Sequence, residues 1–127
     1  MQKKLWYRLI LASLILAGCA SAPTTQAEAS GGGALTMKAG NFYFDPNTVS
    51  VQGTGTLTLT ITNTTGSAHN IVVKDPGGKI IDMADIPPNG TVTTPVTFPA
   101  PGDYYFYCSH PFHEGFGMKG HFIVSGN

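Results

Sequence analysis

Charge is the scarcest ingredient of this 127-residue chain. Charged residues make up 11% of it, against about a quarter in an average soluble domain. Beyond position 8 the basic residues are four scattered lysines. A nucleic-acid surface needs clustered lysine and arginine, so no nucleic-acid partner is expected. Cysteine is nearly absent, with Cys19 and Cys108 the two in the chain, which excludes a disulfide-stapled scaffold. No apolar run is long enough to cross a bilayer. The stretch Leu9–Ala17 falls far short of the roughly 20 residues a spanning helix needs. A helical stripe is missing as well, and 16 glycines and 9 prolines leave little room for one.

What is present falls into unequal parts. Residues 1–18 read as a targeting segment, with Lys3, Lys4 and Arg8 ahead of the apolar run. The run ends in Leu16-Ala17-Gly18-Cys19, which resembles a bacterial lipobox. That resemblance implies cleavage before Cys19, lipidation of Cys19, and an extracytoplasmic protein anchored by lipid to a bacterial membrane, in the periplasm or at the cell surface. Removing residues 1–18 takes three of the seven basic residues and none of the seven acids, leaving a net charge near −3. Such a surface does not bind anionic headgroups by charge, so membrane contact is expected through the lipid. Residues 19–34 are small and polar after the cysteine and read as a flexible linker with a root-mean-square reach of about 20 Å. Residues 35–127 are the folded domain.

Within that domain the period is two. Thr56-Leu57-Thr58-Leu59-Thr60-Ile61-Thr62 alternates without a break, with β-branched threonines on the wet side. Further strands are expected at 35–38, 42–44, 48–51, 69–74, 79–81, 91–98, 104–108 and 117–124, separated by Gly/Pro-rich turns such as Asp75-Pro76-Gly77-Gly78. The pattern predicts an all-β, antiparallel Greek-key sandwich of seven to eight strands.

One segment concentrates the chemistry: Cys108-Ser109-His110-Pro111-Phe112-His113-Glu114-Gly115-Phe116-Gly117-Met118. It offers a thiolate, an imidazole five residues on and a thioether five beyond that, and His69 adds an imidazole from a distant strand. With Cys19 lipidated, Cys108 is the one thiol left in an oxidising compartment, where a metal would protect it. Two histidines and a cysteine with a weak axial methionine suit copper that alternates between Cu(I) and Cu(II). Strand parity agrees. Cys108 is in phase with Phe106 and Tyr104, His69 with Ile71 and Val73, and Met118 with Phe122 and Val124. His110, although it lies in the same loop, and His121, on the opposite face from Met118, are left out of the ligand set. Met37 and Met83 read as core or surface.

Gly102-Asp103-Tyr104-Tyr105-Phe106-Tyr107-Cys108-Ser109 resembles the strand leading to the copper cysteine of plastocyanin-like cupredoxins. The Cys-x4-His-x4-Met spacing is similar to that of auracyanin, rusticyanin and sulfocyanin. Asn63-Thr64-Thr65 followed by Ala68-His69-Asn70 resembles the family's first-histidine motif. The resemblance covers residues 35–127 and implies one type 1 copper held by His69, Cys108, His113 and Met118. It further implies that Asn70 braces the cysteine loop near Ser109, that the Ala68 carbonyl lies opposite Met118, and that Tyr104 is a tyrosine corner. The implied activity is one-electron transfer by a monomeric, non-enzymatic carrier between redox proteins such as cytochromes or oxidases. Docking is expected through the apolar surroundings of His113, namely Pro111, Phe112 and Phe116. The alternatives are copper delivery, which favours exposed and exchangeable ligands, and a metal-free adhesive sandwich, which leaves Cys108 unexplained. Four histidines are too few for a type 1 site plus a multicopper oxidase cluster.

Overall fold

The structure, a computed structural model, describes residues 23–127. The targeting segment and Cys19 lie outside the described residues. Ten strands form two sheets and, among the described residues, there is no helix. One sheet has the order β1 (Gln26–Ser30), β4 (Thr48–Gln52), β10 (Lys119–Val124), β9 (Gly102–Tyr107), β6 (His69–Lys74), β7 (Ile80–Ile86). The other has the order β3 (Tyr43–Asp45), β2 (Ala34–Gly40), β5 (Gly55–Asn63), β8 (Thr91–Phe98).

Alternation in β5 builds the second sheet. Leu57, Leu59 and Ile61 are buried, while Thr56, Thr60 and Thr62 meet threonines of β8 on the outer face and Thr58 lies opposite Pro95. Thr56–Thr97, Thr60–Thr93 and Thr62–Thr91 join hydroxyl to hydroxyl at 2.9, 3.0 and 3.0 Å. Cross-strand pairs of this kind contribute about 0.2–1 kcal/mol each. Aromatic pairs tie the sheets together across the core: Phe44 with Phe106, Phe98 with Tyr104 and Phe98 with Phe122, ring centroids 4.9–5.5 Å apart. The Tyr104 hydroxyl donates to the Ala100 carbonyl at 2.8 Å, tying β9 to the turn that precedes it.

The all-β sandwich is as the sequence implies, but its sheets are mixed. β1 with β4, β4 with β10 and β2 with β5 run parallel. The chain crosses between the sheets after β1, β3, β4, β5, β7 and β8, so parallel neighbours are brought together by crossovers, while β2–β3, β6–β7 and β9–β10 are antiparallel neighbours in one sheet. The linker reading of residues 19–34 is also corrected over its second half. Gln26–Ser30 forms β1, in register with Thr48–Gln52, and Ala27 and Ala29 rest against the core. Small side chains suffice there, because the strand is held by main-chain pairing at a sheet edge.

Parallel registration has a positional result. Gln26, Thr48 and His121 lie in one row across β1, β4 and β10, three residues from Met118. Thr25 and Asn47 bond reciprocally at this end. The Thr25 N–H donates to Asn47 Oδ1 at 3.1 Å, and the Asn47 N–H donates to Thr25 Oγ1 at 3.0 Å. The described chain therefore begins at the end of the sandwich that carries the donors.

Candidate metal centre

Three strand ends converge at that pole. β6 and β9 pair antiparallel, Val72 opposite Tyr107, which brings the first residue of β6, His69, to the same end as Cys108 just beyond β9. β9 and β10 form a hairpin whose connection is the 108–118 loop. It closes on itself: the Cys108 N–H donates to the Met118 carbonyl, and the Met118 N–H to the His113 carbonyl, both at 3.0 Å. Cys108, Met118 and His69 are buried and His113 is half-buried.

The donor atoms of His69, Cys108 and His113 lie within 4.8 Å of one another. His69 Nδ1 is 3.2 Å from His113 Nδ1, which is 3.4 Å from Cys108 Sγ. Nitrogen and thiolate donors bound about 2.0–2.3 Å from a shared ion in one plane are about 3.5–3.8 Å apart. The side chains are thus close to the spacing a single ion needs. Both imidazoles are biased toward the neutral form that ligation requires. The pKa of His69 is lowered below the usual 6.5, first by burial, then by the neighbouring His113 and His110. That of His113 is lowered by burial and then by His110.

The supporting contacts are polar and specific. Asn70 Nδ2 donates to Ser109 Oγ at 2.7 Å, and the Ser109 N–H donates to Asn70 Oδ1 at 2.8 Å. These two bonds fasten β6 to the residue after the cysteine. Thr65 Oγ1 lies 3.0 Å from His69 Nε2, and buried Asn63 holds Thr65 through 2.8 and 2.9 Å bonds. The sequence marks Asn63 and Thr65 as part of a motif, but their work depends on residues 64–68 folding back over the ring. Ala68 is exposed just before β6. His110 stacks on His113, centroids 5.5 Å apart. His121 faces away and meets Asp103 at 2.7 Å on the surface. Met37 is core, whereas Met83 is exposed.

Around His113 the surface is apolar. Phe112 is 79% and Phe116 68% exposed, and Pro111 is exposed beside them. Phe42, at φ +64°, turns its ring edge-on to His113 at 5.1 Å and packs against Phe116 at 5.0 Å. Period-two reading assigns Phe42 to a strand and misses this contact, because a left-handed residue does not obey strand parity. Phe42 and Phe116 also wall a groove of about 380 Å3 with Pro23, Thr25 and Tyr43.

Two imidazoles and a thiolate close enough to share one ion, with a buried thioether where their loop meets the next strand, make the donor set of a type 1 copper site; the cofactor is copper, which His69, Cys108, His113 and Met118 would hold. Comparison with known proteins agrees. Residues 32–125 match the model of the copper binding proteins of the plastocyanin/azurin family. The chain belongs to that family. Reduced auracyanin from Roseiflexus castenholzii is 28% identical, with 82% of this chain and 99% of that one covered at a TM-score of 0.64. Auracyanin A from Chloroflexus aurantiacus is 24% identical over 72% of this chain and 99% of its own, at 0.60. Reduced rusticyanin is 23% identical over 72% and 79%, at 0.55. Both of these last two share the fold. A search of curated proteins finds no matching relative.

Proposed function

We propose that this chain is a lipid-anchored cupredoxin that passes single electrons between redox proteins outside the cytoplasm. The observation that carries the reading is the trio of buried His69 and Cys108 with half-buried His113, the His113 side opening onto an apolar, exposed aromatic surface. Copper in this site supplies a reversible one-electron couple. The protein's part is to hold two neutral imidazoles and a thiolate in place, to cover His113 with Phe42, and to present His113 to a partner. Few charges lie near the ring, which suits brief docking, since weak redox complexes bury little area. Buried ligands disfavour the alternative of copper delivery.

Loading the protein with Cu(II) tests this reading. An intense thiolate-to-copper band, bleached reversibly by a mild reductant and absent in Cys108→Ser, is the expected result. Copper that leaves readily to a weak chelator would favour delivery, and a colourless protein would end the redox reading. Phe116→Glu is expected to slow exchange with the native partner while leaving the copper spectrum unchanged. Recovery of a lipid on Cys19 from membranes of the producing cell tests the anchor.

A further inference from the structure

The hydrogen-bond network behind His69 permits a proton count that assigns its tautomer. Asn63 is 1% exposed, and its Nδ2 faces three main-chain carbonyls, those of Ser67, Pro87 and Ile86, at 2.7, 3.0 and 3.5 Å. Carbonyls only accept, so this end of the amide is the NH2 group and the other end is the oxygen. That oxygen receives the Thr65 N–H at 2.9 Å and lies 2.8 Å from Thr65 Oγ1. Thr65 Oγ1 also stands 3.2 Å from the Ser67 carbonyl and accepts from the Ser67 N–H at 3.3 Å.

A hydroxyl has one proton to give. Two oxygens that can only accept stand before Thr65 Oγ1, and the nearer takes it. Giving the proton to His69 Nε2 would instead leave Oγ1 facing both oxygens lone pair to lone pair. Oγ1 therefore accepts from His69, whose proton must sit on Nε2. The lone pair of Nδ1 is then free and points at His113 Nδ1 and the metal side, 3.2 Å away.

From this count we propose that Thr65, oriented by Asn63, is a positioning residue of the copper site that fixes the Nε2–H tautomer of His69 and strengthens Nδ1 as a donor. The inference rests on His69 binding copper through Nδ1. A hydrogen bond accepted from the far nitrogen makes an imidazole more basic toward its metal. Cu(II), the harder acid of the couple, gains more from this than Cu(I), so the Thr65 hydroxyl lowers the reduction potential.

The test compares the copper-loaded full chain with Thr65→Val and Thr65→Ser. Valine keeps the shape and removes the acceptor, while serine restores it. The Thr65→Val form is expected to bind Cu(II) roughly 10-fold more weakly. If Cu(I) binding is unaffected, a tenfold loss raises the potential by about 59 mV, the value of one decade for one electron. Its His69 Nε2 proton should exchange with solvent faster in the reduced, diamagnetic protein, and serine should reverse both changes. A blue protein whose potential and Nε2–H exchange ignore Thr65→Val would overturn the inference while leaving the copper reading intact. A loss of the blue band in the unaltered protein would overturn both. Nitrogen NMR of the unaltered Cu(I) protein decides independently of whether the variants fold: a proton on His69 Nδ1 refutes the assignment, and one on Nε2 supports it.

Discussion

Asn70 and Ser109 offer the sharpest test of how the cysteine loop is held. Ser109→Ala deletes one hydrogen bond, that from Asn70 Nδ2. Asn70→Ala deletes that bond and also strips the Ser109 N–H of its acceptor. A net intramolecular hydrogen bond is worth about 1 kcal/mol, so the serine variant should lose about 1 kcal/mol. The asparagine variant should lose about 2 kcal/mol, and the double variant no more than Asn70→Ala alone. Urea unfolding of the copper-free protein reads these values without the contribution of metal binding. With a slope of about 2 kcal/mol per molar for a domain of this size, the midpoints should fall by about 0.5 and 1 M. Equal losses in the two single variants, or a further loss in the double, would refute the view that both bonds run through Asn70. The same variants loaded with copper report whether the brace also tunes the metal.

Three further outcomes are expected. Gly120→Ala should destabilise the fold by about 1–3 kcal/mol, since a methyl there meets the Asn47 carbonyl and the Phe106 ring; thermal unfolding measures it. Leu59→Ala, at a fully buried position, should lose about 2–5 kcal/mol in the same assay. The copper-free protein should lose stability as pH falls below 6.5. His69 and His113 have folded pKa values lowered beneath that figure, so the unfolded chain takes up protons there first. Urea midpoints between pH 7.5 and 5 check the slope, and His113→Asn should flatten it.

Much of this was legible in the chain. The threonine alternation of β5 declared a strand with one wet face, because a leucine every second residue needs a core on one side only. The ligands were legible for a related reason: Cys108 and His69 continue the inward phase of their strands, and their chemistry is rare enough to stand out. What escaped was whatever depends on contacts between remote segments. Gln26–Ser30 has no side chain large enough to announce burial, and its order comes from main-chain bonds to β4. Phe42 reaches His113 through a left-handed backbone, and Thr65 reaches His69 through a loop that doubles back. No period records either.

The row that aligns Gln26, Thr48 and His121, together with the Thr25–Asn47 clasp, would shorten the leash of the proposed lipid anchor. The sequence alone allowed fifteen slack residues between anchor and domain. In the fold, Gln26–Ser30 is already paired as β1, and Pro23 stands on the wall of the groove that Phe42 and Phe116 share. A lipid on Cys19 would sit four Cα–Cα steps from Pro23, at most about 14 Å of chain at full extension. On the proposed function, such an anchor would keep His113 close above the bilayer, and a partner would meet it by sliding within the membrane plane, as a search in two dimensions.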